Sequence, residues 1–335
     1  MIVNIDPFKR FIEIWLYLLL FLIVLIIFVG GLTRLTDSGL SITEWELFKG
    51  VFPPLNNEMW IVYFDLYKQI PEYKEVNYNM SLKEFKVIYY WEYAHRLIAR
   101  LIGLFSILPL IYLFLKFKKY RKKILKYLII FSLICFQGLI GWYMVKSGLV
   151  SNTDVSHYRL ALHLTIALLI LSFIFWFILE NLNIQKFKNK LPQNTLRIFL
   201  FLIILQIILG AFLAGLNGGL LYNTWPDMNG GVLPNDIITR DLFLFESTNN
   251  PSVIQFYHRI IAYLIIFYLI ILNYLSYKNN YNYRYLMILN FAVFLQILIG
   301  IITLITGVKI FYASLHQLGS ILVLTSFLFI VYKNS

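Results

Sequence analysis

Eight stretches of mostly apolar residues punctuate the chain: Ile14–Thr33, Tyr89–Leu115, Tyr127–Val145, Arg159–Leu179, Leu196–Leu216, Ser252–Tyr274, Arg284–Thr306 and Ala313–Tyr332. Crossing ~30 Å of hydrocarbon as a helix takes roughly 20 such residues. In lipid only helices or closed barrels satisfy every backbone polar group. The pattern therefore predicts an all-α membrane protein of eight transmembrane helices. Two polar connections are long, Arg34–Ile88 and Asn217–Pro251, and the first contains a short helical pattern at Trp60–Ile70. No small-residue cleavage site follows the first apolar run, which is read as a retained span rather than a signal peptide.

Composition agrees with this reading. Of 335 residues, 60% are apolar and only 14% charged, whereas soluble domains run near half apolar and a quarter charged. A water-soluble enzyme, a secreted disulfide scaffold and a disordered chain are thereby excluded. The single cysteine, Cys135, can form neither an internal disulfide nor a cysteine metal cluster. The net charge of +12 is a loop bias toward one membrane face rather than a nucleic-acid footprint. Sixteen of the 29 Lys and Arg fall in the segments of one side, seven of them in Lys116–Lys126. The other side carries nine, diluted by 13 of the 17 acids. The positive-inside rule then places both termini in the cytoplasm and both long loops outside.

The chain repeats itself weakly. Glu92-Tyr-Ala-His95-Arg96 resembles Gln255-Phe-Tyr-His258-Arg259, Gln137-x-x-x-Gly141 matches Gln296-x-x-x-Gly300, and His163 matches His316. The order is kept, as expected of a duplicated unit. Four spans per unit give a parallel repeat: two pseudo-symmetric four-helix bundles, at 1–185 and 186–335. Gly30, Gly31, Gly138, Gly141, Gly210, Gly215 and Gly300 fall on odd-numbered spans and read as close helix packing.

Four of the five histidines, His95, His163, His258 and His316, occupy the even-numbered spans, one each. Each lies a few residues past the outer end of its span, roughly 6–10 Å deep at ~1.5 Å per residue. A lone histidine in a span is ordinarily a packing residue. Four at one depth, in duplicate, suit paired axial ligation of a planar iron macrocycle between facing helices. His157 has no partner in the second half and is read as peripheral loop. Arg96, Arg259 and Arg159 lie near these histidines; with Arg34 and Arg240 in the outer loops they are candidates for haem propionates or interfacial anchors. Glu92, three residues before His95, shares its helix face. Its counterpart is Gln255, which cannot exchange a proton. One half alone thus keeps an acid–base group beside its histidine, unless Glu92 serves only to pair with Arg96.

The motifs Gly30-Gly31-Leu-Thr-Arg34-Leu-Thr-x-Ser-Gly-Leu-Ser-Ile-Thr-Glu44-Trp45, Glu92-Tyr-x-His95-Arg96, Gln137-Gly-x-x-Gly141-Trp142 and Asn223-Thr-Trp225-Pro-x-Met228 resemble heme A synthase of the alphaproteobacterial and mitochondrial class, over nearly the whole chain. The resemblance implies oxidation of a ring methyl of heme O to the formyl group of heme A, for cytochrome oxidase, in a bacterial inner membrane. It implies a haem b on His258 and His316, substrate heme O facing His95 and His163, and Glu92 as the essential acid. It also implies an external electron donor, oxygen or water as oxygen source, hand-over from the farnesyltransferase that makes heme O, and a homo-oligomer. Relatives with a cysteine pair in the first outer loop differ from this chain, which has none there. A bis-histidine b-type electron-transfer cytochrome and a haem carrier share every histidine and stay as alternatives. The loop 34–88 is expected to cap the first pocket.

Overall fold

The computed structural model describes residues 7–46, 48–115, 124–151, 153–237, 240, 242, 244–281 and 283–335. Ten α-helices run through them: α1 (Pro7–Leu35), α2 (Asn57–Tyr67), α3 (Pro71–Glu75), α4 (Leu82–Leu115), α5 (Ile124–Ser151), α6 (His157–Asn181), α7 (Gln193–Gly215), α8 (Pro251–Lys278), α9 (Tyr283–Ile305) and α10 (Ile310–Asn334). The described residues hold no strand beyond one isolated bridge, Met228 to Gly231. All except α2 and α3 are long and apolar enough to cross a membrane, and they coincide with the eight runs read from the sequence. Large side chains such as Phe21, Phe114, Phe267 and Phe291 stand exposed along these helices, a surface that lipid accommodates and water does not. This is a multi-pass membrane protein. The basic stretch at 116–123 and residues 1–6 lie outside the described residues.

Local chemistry sets the helix ends. Ser81 and Glu84 form a capping box that starts α4: Glu84 Oε2 accepts from the Ser81 amide (2.8 Å) and hydroxyl (2.7 Å). Asn250 caps α8 by accepting from the amides of Ser252 and Val253, with Pro251 in the first turn. Gly307, at φ +70°, terminates α9 in the left-handed conformation.

The chain divides into two compact units, Met1–Ile174 and Phe175–Ser335. In the first, α1 packs on α4 and α4 on α5. The segment carrying α2 and α3 packs on the N-terminal end of α4, where Leu40, Ile42, Trp60, Phe64, Tyr67, Ile70, Phe85, Ile88 and Tyr89 form one buried, largely aromatic cluster. α3 also packs against α5, and Leu40 sits against Gly148 of α5. The long loop is thus a folded cover spanning α4 and α5.

Glu72 of α3 is the chemical oddity of that cover. It is 5% exposed, and its Oε2 has no hydrogen-bond partner. Burial pushes its carboxyl up to about 8, against a nearby Tyr67 hydroxyl that holds it down; Glu92, Asp154 and Asp37 add repulsion. A folded-state value above the free one means the unfolded chain sheds the proton first as pH rises. Glu72 therefore contributes stability in full below pH ~4.5, and that contribution is gone once pH passes about 8. Proteolysis within 57–75 is expected to quicken between pH 5 and 8 in the wild type and to stay flat in Glu72→Gln. Equal pH dependence in both proteins would remove Glu72 as the cause.

In the second unit α7 packs on α8 and α9 on α10. Asn273 and Asn290 exchange amide hydrogen bonds between α8 and α9 at 3.0 and 2.8 Å, the kind of polar tie that orders helices in lipid. At its far end residues 185–191 are sewn to 332–335. The Phe187 amide donates to the Lys333 carbonyl (2.8 Å). Asn334 accepts from the Leu191 amide (2.7 Å) and donates to its carbonyl (3.0 Å).

Candidate functional site

Each unit brings two of the predicted histidines together. In the first, His95 of α4 and His163 of α6 have ring centres 6.5 Å apart at an interplanar angle of 57°. In the second, His258 of α8 and His316 of α10 stand 6.4 Å apart at 74°. Imidazole nitrogen bonds a metal at about 2 Å, and the ring centre lies roughly 1 Å behind it, so two rings flanking one ion sit on the order of 6 Å apart. Both pairs meet that spacing. Among the described residues no group of three or more His, Cys, Asp or Glu gathers. Each pair could thus supply two bonds, and a metal held there would need its remaining ligands from a macrocycle of its own. The donor set fits haem.

Glutamines fix the helices at these rings. Gln137 of α5 donates to the His163 carbonyl, and Gln296 of α9 to the His316 carbonyl, each at 2.9 Å. The repeat seen in the sequence thus has a common contact. A third glutamine, Gln206 of α7, lies 3.2 Å from Nε2 of His258. It was overlooked, yet Gln206-x-x-x-Gly210 shares the spacing of the other two. The residue four before Gly30 is Ile26, so the first unit lacks this amide.

Glu92 is buried beside His95, with both oxygens engaged. Oε1 accepts from Arg96 Nη2 (2.6 Å) and Nε (3.0 Å), while Oε2 accepts from the Ser41 hydroxyl and the Ile42 amide, both at 2.8 Å. Arg96 in turn donates to the carbonyls of Ile42 (2.7 Å) and Glu44 (3.2 Å) and lies over the Trp45 ring. Arg100 donates to the Glu46 carbonyl at 2.8 Å. The Glu92–Arg96 pair exists, and it also latches residues 41–44 of the cover to α4.

The second unit uses the same registers differently. Gln255 donates to the Leu221 carbonyl (3.0 Å), and Arg259 to those of Tyr222 (2.7 Å) and Asp227 (2.6 Å). There the loop is latched without a carboxylate. Arg259 Nε remains buried without a partner.

Of the other arginines, Arg34 pairs with Asp37 at 2.6 Å and reaches Asp154 at 3.8 Å. Arg159 donates to the Ser147 hydroxyl and covers the Tyr143 ring, and Arg240 is exposed. His157 is not in a loop: it opens α6, buried, with its ring centre 4.0 Å from that of Tyr158 and tilted 38° to it.

A family model described as "Cytochrome oxidase assembly protein" matches residues 13–328. A protein of Pelagibacter ubique named "Heme A synthase" is 58% identical over 335 residues, covering 100% of both chains. Proteins of the same name from Rickettsia bellii and Wolbachia pipientis are 43% and 41% identical, covering 93% and 95% of this chain and 94% and 91% of their own.

Proposed function

From the premise that this chain belongs to the cytochrome oxidase assembly family, we propose that it is an oxidoreductase making heme A from heme O. A ring methyl of the substrate is oxidised to a formyl group through hydroxylated forms. The observation that carries the reading is the pair of matched imidazole couples, 6.5 and 6.4 Å apart, of which one alone has a carboxylate, Glu92, on the same helix face.

His258 and His316 hold the resident haem b, whose iron supplies one-electron transfer. His95 and His163 face the substrate. Glu92 carries the protons that accompany the electrons of this oxidation, and the folded cover over α4 and α5 keeps bulk water from them. Arg96 spends four of its five N–H donors on Glu92 and two loop carbonyls and Arg259 spends two on loop carbonyls; the donors left over serve the propionates. Arg34 and Arg159 add positive charge at the outer ends of α1 and α6.

The two units are pseudo-symmetric bundles in the bacterial inner membrane with cytoplasmic termini. Heme O arrives from the farnesyltransferase that makes it. The oxygen atom comes from O2, with an external donor supplying two electrons and two protons to each hydroxylation, or from water, with the four electrons of the oxidation leaving to an external acceptor. The enzyme works as a homo-oligomer. The test is to extract the haems of the purified protein with acid solvent and weigh them by mass spectrometry. Heme O, its hydroxylated forms and heme A beside haem b are expected. Haem b alone, with fed heme O unchanged, would instead mark a bis-histidine electron-transfer cytochrome.

A further inference from the structure

Something must fix the plane of each imidazole before it can serve iron. In most histidine ligands a hydrogen bond from the second ring nitrogen does so. Here Nδ1 of His95, His163, His258 and His316 is buried without a hydrogen-bond partner. The main-chain groups of Ile26, Gln206 and Gln296 approach His95, His258 and His316 without completing a well-aligned bond.

What each ring does touch is a glycine of an odd-numbered span. A Cβ built on Gly30 would stand 2.9 Å from Cε1 of His95, and one on Gly141 3.0 Å from Cε1 of His163. On Gly210 the distance to Cε1 of His258 would be 3.2 Å, and on Gly300 2.7 Å to Cε1 of His316. All four are tighter than ordinary van der Waals contact. The contact is not general to glycines in these helices: Gly103 in α4 and Gly138 in α5, the latter one turn from Gly141, have open space where a Cβ would be.

We propose that Gly30, Gly141, Gly210 and Gly300 are positioning residues, each a flat seat that sets the plane of one histidine ring over the iron it ligates. The inference rests on the ligand assignment above and goes beyond it. Helix packing alone has no reason to place every one of these glycines under an imidazole. A methyl group at a seat turns the ring or pushes it off, and because core packing does not yield freely the change reaches the iron–nitrogen bond. Ring orientation is one of the protein's levers on a bound haem.

The test compares alanine variants of the whole protein. In Gly300→Ala, with the smallest clearance, the low-spin ferric haem b signal in electron paramagnetic resonance shifts its g values and haem content falls. Gly210→Ala shifts them less, in the order of the clearances. Gly141→Ala weakens binding of added heme O by roughly tenfold, while Gly138→Ala, which brings the same gain in helix propensity, leaves it within about twofold. Should Gly300→Ala fail to fold, Gly210→Ala decides, since its neighbour needs to give by only a few tenths of an ångström. Unchanged g values in the unit-two variants, in a protein whose haem b disappears with His258→Ala, overturn the proposal alone. A wild-type signal surviving in His258→Ala overturns the ligand assignment and the proposal with it.

Discussion

Glu92→Gln is expected to lower conversion of heme O by on the order of 100-fold or more, the usual scale for removing a general acid–base group, while haem b content stays near wild type. The magnitude follows from what glutamine keeps and loses. It can still accept from Ser41 or Arg96, and Gln255 shows that an amide at this register holds an outer loop, through the Leu221 carbonyl. It cannot accept a proton. The substitution also removes the charge partner of Arg96, and a broken buried pair commonly costs about 3–5 kcal/mol. Arg96 retains its bonds to Ile42 and Glu44, which softens that loss. The two roles separate in one experiment that reads turnover together with protease cleavage within 57–75. Lost turnover with an intact cover supports proton transfer. Full turnover ends that assignment, and lost turnover with an opened cover makes Glu92 a latch.

The second large effect concerns the other unit. Replacing His258 or His316 by alanine is expected to strip haem b from the purified protein and to reduce heme A formation to background. The same change at His95 or His163 leaves haem b in place and stops only the processing of added heme O. The asymmetry follows from the proposed assignment: each couple lies within its own unit, and among the described residues no third His, Cys, Asp or Glu gathers there to replace a lost ring. Haem per polypeptide, read from the absorbance of the pyridine complex, gives the result directly. Equal loss of haem b from all four variants would mean that the couples do not hold separate haems.

The spans were legible because lipid thickness imposes them, and all eight recur. Their ends were not. α4 begins at Leu82, seven residues before the apolar run, because its first turns are set by the polar Ser81–Glu84 box, to which hydropathy is blind. The helix expected at Trp60–Ile70 is Asn57–Tyr67, since Asn56 caps it and Pro71 opens the next. The histidine couples were readable from depth and duplication, and the Glu92–Arg96 pair from spacing. The carbonyls that Arg96 and Arg259 grip were not, because any backbone can supply a carbonyl and no residue type announces it. Gln206 carried a readable signal in its spacing to Gly210. The glycines were read as packing, for nothing in a linear string says that what packs on them is an imidazole.

The stitches between 185–191 and 332–335 tie together stretches about 140 residues apart in sequence. During translation the earlier stretch leaves the ribosome long before its partner, and loop closure over that distance waits for it. Until then Leu191 has only water, or the insertion machinery, to satisfy its amide and carbonyl. The fastening of that end of the second unit therefore waits for its last helix to be made.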